Sequence, residues 1–162
     1  MADLLNNTNS NANNYGDDAI VTLSPREHIR LRPGMYVGVV GDGSQPDEAL
    51  YVLIKEVVDN SIDEFIMGAG RQIDITLADN VVTVRDYGRG IPLKSLAAAV
   101  GQMNTGGKYG GDAFKKTVGL NGVGVKAVNM LSEEFTARSV RDGEARTAVS
   151  YTHLTLPTTP YV

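Results

Sequence analysis

The chain has 162 residues, a length that suits one domain with a buried core. It contains no cysteine and two histidines, which excludes disulfides, thiolate metal sites and a histidine-rich metal centre. The net charge of -4 argues against binding nucleic acid through the overall field, and no apolar run approaches the ~20 residues that span a bilayer. Residues 1–14 are polar and rich in asparagine, which predicts a disordered leader rather than a secretory signal. We therefore expect a cytoplasmic protein.

The first predicted elements are short. Residues 20–23 form an apolar run that predicts a strand. A helix follows, because Ser24 can cap it, Pro25 suits its first position and Glu27 completes a capping box. The sequence Arg-Pro-Gly-Met-Tyr at residues 32–36 then predicts a turn.

The clearest element is a long amphipathic helix. Ser44, Pro46 and Glu48 predict its start, since serine caps helices and both proline and acids suit a first turn. Apolar residues then recur with the i, i+3, i+4 spacing of a helix that buries one face. They are Leu50, Leu53, Ile54, Val57, Val58, Ile62, Phe65 and Ile66. Gly68 and Gly70 predict its end.

Two β-hairpins are predicted from alternating polar and apolar residues. The first pairs residues 71–77 with residues 81–85, and the second pairs residues 134–141 with residues 144–149. Each pair is separated by residues that favour tight turns.

Two more helices and a loop are predicted between the hairpins. Pro92 opens a helix that runs to about Met103, and residues 123–131 form another apolar helix. Residues 104–119 are rich in glycine and lysine and have no periodicity, which predicts a mobile loop.

Three polar residues on the long helix are candidates for catalysis. At 100° per residue, Glu56, Asn60 and Asp63 lie within a stripe ~60° wide that borders the apolar face. Glu56 could take a proton from an attacking water, and the Asn60 carbonyl could ligate Mg²⁺, a cation that prefers oxygen. The alternative is the solvated polar edge of an ordinary amphipathic helix.

The turn after the first hairpin has residues that suit the binding of a flat ring. Asp86 ends a strand, where its carboxylate can accept a hydrogen bond from an exocyclic amine such as that of adenine. Gly88 and Gly90 allow a ring to approach the backbone closely. The alternative is a plain turn between a strand and a helix.

A glycine-rich run leads directly into the helix predicted after it. Gly119, Gly122 and Gly124 expose backbone N–H groups, and the helix start adds its positive dipole end, which together suit phosphate. The run is neither a P-loop nor a dinucleotide fingerprint, because its spacing is wrong and it follows a loop. Lys108 lies upstream, where it could reach a terminal phosphate, and a solvated basic loop is the alternative.

The order of these motifs resembles the Bergerat ATP-binding fold of gyrase B, the large heat-shock chaperone, histidine kinases and MutL-type repair ATPases. The resemblance covers residues 15–148. It narrows to type IIA topoisomerase B subunits on Arg-Pro-Gly-Met-Tyr at 32–36, Glu-Val-Val-Asp-Asn at 56–60 and Gly-Gly-Lys at 106–108. Asn121 stands where many gyrase B subunits have histidine, which is more similar to topoisomerase IV.

The resemblance implies a fold of the α+β class. It would be a two-layer α/β sandwich, in which a mixed, mostly antiparallel sheet carries helices on one face. Residues 15–149 would form a partial ATPase domain that ends before its last strands, leaving unpaired edges exposed. Residues 150–162 place two prolines where a strand should continue, and we interpret them as a foreign tail.

The resemblance also implies roles for the residues of the motifs. Glu56 would be the general base that activates water, and Asn60 would ligate Mg²⁺ and contact the phosphates of ATP. Asp86 would recognise the adenine amino group, and Gly90 and Pro92 would shape the wall beside it.

Further roles follow from the same resemblance. Arg89 would pack beside the adenine and pair with Asp63 or Glu64, and Lys108 would approach the γ-phosphate. Tyr15 would lie in an N-terminal arm that reaches into the partner's nucleotide pocket in a homodimer, so that ATP binding and dimer closure are coupled. The phosphates would be wrapped by Gly119, Leu120, Asn121, Gly122, Val123, Gly124 and Val125.

The expected function is that of the ATP-binding and hydrolysing part of a topoisomerase B subunit, which drives duplex passage with the A subunit and DNA as partners. One alternative is a nucleotide-binding fragment without turnover, since the lysine of the family's transducer domain would lie beyond this chain. Another is a histidine kinase or chaperone with the same pocket. The Arg-Pro-Gly-Met-Tyr element and the Tyr15 arm argue against that.

Overall fold

The computed structural model describes residues 20–106 and 122–151. Groups of helices are followed by antiparallel strand pairs along this part of the chain, which confirms the predicted α+β class. The helices are α1 (Pro25–Leu31), α2 (Gly34–Val37), α3 (Ala49–Ile66), α4 (Leu96–Gly101) and α5 (Gly124–Leu131), with a 3₁₀ turn at Leu93–Ser95. The strands are β1 (Ile73–Ala78), β2 (Val81–Asp86), β3 (Glu134–Arg141) and β4 (Glu144–Tyr151).

The predicted capping box at the start of α1 is confirmed. The Ser24 hydroxyl accepts from the Glu27 N–H at 3.3 Å, and the Glu27 carboxylate accepts from the Ser24 N–H at 2.8 Å. These bonds hold the pKa of Glu27 below its ordinary value. The strand predicted at residues 20–23 is wrong, because Ile20 and Val21 are exposed and find no ladder partner among the described residues.

The long helix is confirmed, but its predicted start at Ser44–Glu48 is wrong. Helix α3 begins at Ala49, because Glu48 is extended and forms a bridge with Val39. The Glu48 carboxylate is buried and accepts from the Gly43 N–H at 2.5 Å. Glu48 is therefore held by the preceding loop instead of entering the first helical turn. At the other end, Gly68 adopts a φ of 79°, which fits the predicted end of the helix.

Both predicted hairpins are confirmed. Asp79 and Asn80 turn the first with φ values of 50° and 62°, and Asp142 and Gly143 turn the second with φ values of 54° and 82°. Two consecutive residues with positive φ match the right-handed twist of the flanking strands. In the first hairpin, Asp86 is the last residue of β2, so the ladder brings it opposite the beginning of β1.

Within the described residues, the strands form two separate antiparallel pairs rather than one continuous sheet. The second pair contacts the segment that follows the first, since the Ser139 hydroxyl on β3 donates to the main-chain carbonyl of Ile91 at 2.8 Å. The second ladder continues through Ser150 and Tyr151, which are the first two residues of the predicted tail. The foreign origin of that tail stays a prediction.

Two predictions of local structure need correction. The helix predicted from Pro92 to Met103 is shorter, because it starts with the 3₁₀ turn and ends at Gly101. Asn104 then adopts a φ of 56°, which does not fit an α-helix. The turn predicted at residues 32–36 includes the short helix α2, where the fixed φ of Pro33 suits the start of a helical turn.

The core of the described part lies between the helices. Helix α3 packs against α5 and β2, and α4 packs against α5 and the second hairpin. The buried apolar side chains are Ile29, Val37, Leu96, Val100, Ala127 and Met130. In the ranges 20–106 and 122–151, no helix is both long and apolar enough to cross a bilayer.

Candidate active site

Helix α3 carries two carboxylates that are each approached by a glycine segment. Glu56 and Glu64 are eight residues apart, which corresponds to ~12 Å along the helix axis. Gly124 lies against Glu56, and Gly88 lies against Glu64. The structure therefore brings three separate sequence motifs onto one helix.

The contact between Glu56 and Gly124 is the tightest of these approaches. A Cβ built on Gly124 would lie 1.7 Å from Glu56 Oε2 and 2.5 Å from its carboxyl carbon. Gly124 is the first residue of α5, so the half-buried carboxylate lies beside the positive end of that helix. Only glycine leaves room for the carboxylate in this position.

Asn60 is fixed by its own helix. Its Nδ2 donates to the Glu56 carbonyl at 2.7 Å. In the described part of the chain, no group of three or more histidine, aspartate or glutamate side chains could hold a metal. One amide oxygen fits Mg²⁺ only if phosphate oxygens and water complete the coordination, as is usual for this ion.

The predicted pairing of Arg89 with an acid on α3 is confirmed, and the partner is Glu64. The guanidinium donates from Nε to Oε2 at 3.0 Å and from Nη2 to Oε1 at 2.8 Å. The Arg89 backbone N–H also donates to Oε2, at 3.0 Å. This pairing raises the pKa of Arg89, first through the hydrogen bonds and then through the charge of Glu64. At Gly88, a Cβ would lie 2.9 Å from the Glu64 side chain, so glycine permits the approach.

Asp86 lies at a cleft between α3 and the end of β2. The cleft has a volume of about 200 Å³. Its lining includes Ser61 and Phe65 from α3 together with Asp86 and Tyr87. One oxygen of Asp86, Oδ1, accepts from the Gly88 N–H at 2.9 Å. The other, Oδ2, makes no hydrogen bond with the residues at 20–106 and 122–151, so it can accept one from a ligand.

The wall formed by Gly90, Ile91 and Pro92 is anchored on β3. Gly90 has a φ of 72°, and a Cβ there would lie 2.4 Å from the Val140 carbonyl oxygen. Ser139 is buried and donates to Ile91. No motif in the sequence indicated Ser139. The indication available in the sequence was that a polar residue, serine, falls at an inward position of β3, where apolar residues are expected.

We expect Gly90→Ala to destabilise the fold. The left-handed conformation alone costs an alanine about 1–2 kcal/mol, and the overlap with a backbone oxygen adds to that cost. Chemical denaturation should give a larger loss for Gly90→Ala than for Gly38→Ala, because Gly38 has a φ of 74° but open space around it. Equal losses in the two variants would contradict the close approach to Val140.

The remaining predicted site residues divide into two groups. Gly122, Val123 and Val125 are half-buried around the start of α5, where the Val123 carbonyl accepts from the Ala127 N–H at 2.9 Å. The others lie outside the described residues, and their roles stay predictions: Tyr15, Lys108, Gly119, Leu120 and Asn121.

This arrangement, in which a carboxylate on one helix faces the glycine-rich start of another, is typical of a class of ATPases. A family model described as histidine kinase-, DNA gyrase B-, and HSP90-like ATPase matches residues 45–160, and the chain belongs to that family. Among its relatives is the B subunit of DNA topoisomerase 4 from Borreliella burgdorferi, 58% identical over 132 residues, which cover 82% of this chain and 22% of the relative. The B subunit of DNA gyrase from Rickettsia conorii is 44% identical over 143 residues, which cover 83% of this chain and 17% of the relative.

A solved structure supports the fold. The chain resembles the ATPase and transducer domains of DNA topoisomerase II from Balamuthia mandrillaris, with a TM-score of 0.63 and 24% identity. The match covers 84% of this chain and 46% of that chain. The chain spans about a fifth of the length of the curated relatives it matches.

Proposed function

We propose that this chain is the ATP-binding and hydrolysing part of a type II DNA topoisomerase B subunit, most like topoisomerase IV. The observation that carries the proposal is the position of the Glu56 carboxylate, which lies on α3 and contacts the start of α5. The same helix, α3, also holds Arg89 through Glu64. The identity of 58% to the B subunit of a topoisomerase 4 supports the choice within the family.

In the proposed complex, adenine binds at the Asp86 end of α3. Asp86 Oδ2 accepts a hydrogen bond from the exocyclic amine, while Oδ1 keeps its bond to Gly88. Glu64 holds the Arg89 guanidinium beside the ring, and Gly90 and Pro92 form the adjacent wall.

The phosphates bind at the Glu56 end. The N–H groups of Gly122, Val123, Gly124 and Val125, together with the α5 dipole, suit their negative charge. Asn60 would help to hold Mg²⁺, which would neutralise part of that charge. Lys108 approaches the γ-phosphate, and Gly119, Leu120 and Asn121 extend the wrapping.

Hydrolysis then needs one proton acceptor, which we assign to Glu56. The oxygen of a water molecule attacks the γ-phosphorus, and Glu56 takes a proton from that water. The bond from the γ-phosphorus to the bridging oxygen breaks, and ADP leaves with the electron pair. The helix start beside Glu56 favours the negative charge that accumulates on the phosphates.

The activity of the complete protein is part of the proposal, because the chain spans about a fifth of its relatives. The Tyr15 arm would join two copies when ATP binds, and the A subunit and DNA would complete the cytoplasmic enzyme. ATP-dependent closure of the dimer would then drive the passage of one duplex through another.

A binding and turnover experiment tests the proposal. The chain is titrated with a non-hydrolysable ATP analogue in the presence of Mg²⁺, and ATP hydrolysis is measured in the full-length protein. Saturable binding together with turnover is expected. Binding to the chain without turnover in the full-length protein would favour a nucleotide-binding module, and no binding to the chain would contradict the proposed pocket.

We expect Asp86→Asn to weaken binding of the analogue by about 10- to 100-fold, the contribution of a hydrogen bond to a charged group. The change keeps the shape of the side chain and an acceptor for Gly88, so the fold should survive. Asp79→Asn is the matched control, because Asp79 lies in the exposed hairpin turn. An unchanged affinity in Asp86→Asn would reject the adenine role.

A further inference from the structure

Helix α5 buries two polar side chains that the proposed reaction does not use. Lys126 is 3% exposed and Asn129 is 7% exposed, and they lie beside the apolar Ala127 and Met130. Burying an ammonium or an amide in a core is unfavourable unless each group finds hydrogen-bond partners. Apolar residues would serve a purely structural helix face at least as well, so these two residues point to another purpose.

Both side chains donate to main-chain carbonyls, one in the last turn of α4 and one in the segment that follows it. Lys126 Nζ donates to the Thr105 carbonyl at 2.6 Å, and Asn129 Nδ2 donates to the Val100 carbonyl at 3.0 Å. Val100 is the penultimate residue of α4, where a helical carbonyl has no N–H four residues further along the same helix. Residues three apart face the same side of a helix, so one face of α5 is hydrogen-bonded to residues 100–105 at two positions.

These hydrogen bonds connect the residues that precede and follow the segment 107–121. Residues 107–121 separate Gly106 from Gly122, and both of these ends are connected to α5. Gly122 leads directly into the helix, and Thr105 is bound to it through Lys126. Lys126 is also two residues from Gly124, which contacts Glu56.

We propose that Lys126, with Asn129 as a second anchor, is a positioning residue for the phosphate-binding turn. By holding the backbone at Thr105, it fixes the start of α5 relative to α4, and therefore the place of Gly122–Gly124 against Glu56. The inference rests on the proposed function, since it assigns the positioned turn to the phosphates of ATP. A charged donor suits this task, because its hydrogen bond to a carbonyl is stronger than that of a neutral donor.

The test compares four variants of this chain. Lys126→Met keeps the length of the side chain but removes the donor, and Lys126→Arg keeps a cationic donor. Asn129→Asp keeps the shape of the side chain but replaces the donor that faces the Val100 carbonyl with a second acceptor. Lys94→Met is the matched control, because Lys94 is an exposed lysine on the 3₁₀ turn. Amide hydrogen exchange is measured without nucleotide, and affinity is measured with a non-hydrolysable ATP analogue.

In Lys126→Met we expect exchange to accelerate about tenfold at residues 101–106 and 122–126, and affinity to fall about tenfold. Asn129→Asp should also accelerate exchange and lower affinity. Lys126→Arg should show smaller changes in exchange and affinity than Lys126→Met, and Lys94→Met should change neither quantity. If Lys126→Met does not fold, Lys126→Gln replaces it, because the shorter amide still fills part of the site.

Three results would overturn the inference. One is unchanged exchange at both segments in Lys126→Met. The second is acceleration spread equally over the β1–β2 hairpin, which indicates a general loss of stability. The third is accelerated exchange with unchanged affinity. If the unaltered chain does not bind the analogue, the proposed function fails, whereas the exchange data still decide whether Lys126 holds the two segments together.

Discussion

Replacing Glu56 with glutamine should lower the rate of ATP hydrolysis by about 100- to 10,000-fold, the usual contribution of a general base. Glutamine has nearly the same shape, so it can occupy the space beside Gly124 that the carboxylate fills. It cannot accept the proton from the attacking water, because its amide oxygen is a far weaker base. Single-turnover hydrolysis in the full-length protein measures the chemical step directly. Binding of a non-hydrolysable analogue should remain close to that of the unaltered protein.

The control for this prediction is Asp59→Asn on the same helix. Asp59 accepts a hydrogen bond from Lys55 one turn away, so its carboxylate forms an ion pair within α3. Removing that charge should leave the hydrolysis rate within a few-fold of normal, since such pairs contribute little. Near-normal turnover in Glu56→Gln would reject Glu56 as the base. Loss of analogue binding in Glu56→Gln would instead indicate that the carboxylate mainly organises the pocket.

The sequence predicted those elements that repeat a simple pattern. Helix α3 and both hairpins follow from periodicity, which depends only on which residues are apolar. The start of α3 could not be predicted, because Glu48 is held by Val39 and Gly43 through contacts that form only in the folded chain. The run at residues 20–23 is apolar enough for a strand, but a strand also needs a neighbour to pair with.

The sequence predicted which residues form the site better than it predicted which contacts they make. The order of the motifs indicated Glu56, Asp86 and the glycine-rich run, and the pairing of Arg89 was narrowed to two acids. Which acid it contacts depends on how closely Gly88 approaches α3, and that is a property of the packed structure. Lys126 and Ser139 were not assigned such contacts, because their partners are main-chain carbonyls that carry no sequence pattern.

Gly124→Ala should lower ATP hydrolysis by about 100-fold while leaving the chain folded. The new Cβ would occupy the position of the Glu56 carboxylate, which lies 1.7 Å from it. Because Glu56 is half-buried and flexible, it can rotate away at a cost of about 1 kcal/mol. A displacement of ~1 Å in a catalytic group is enough for a loss of this size. Turnover in the full-length protein and thermal unfolding of the chain measure the two effects separately.

Two comparisons isolate the cause of that loss. Gly34→Ala is the matched control, because Gly34 is also the first residue of a helix but has nothing within 4 Å of a Cβ, so hydrolysis should be unchanged. In the double variant Gly124→Ala with Glu56→Gln, hydrolysis should be no slower than in Glu56→Gln alone, since both changes remove the same proton acceptor. Independent, multiplying losses would mean that Gly124 acts on the phosphates and not through Glu56.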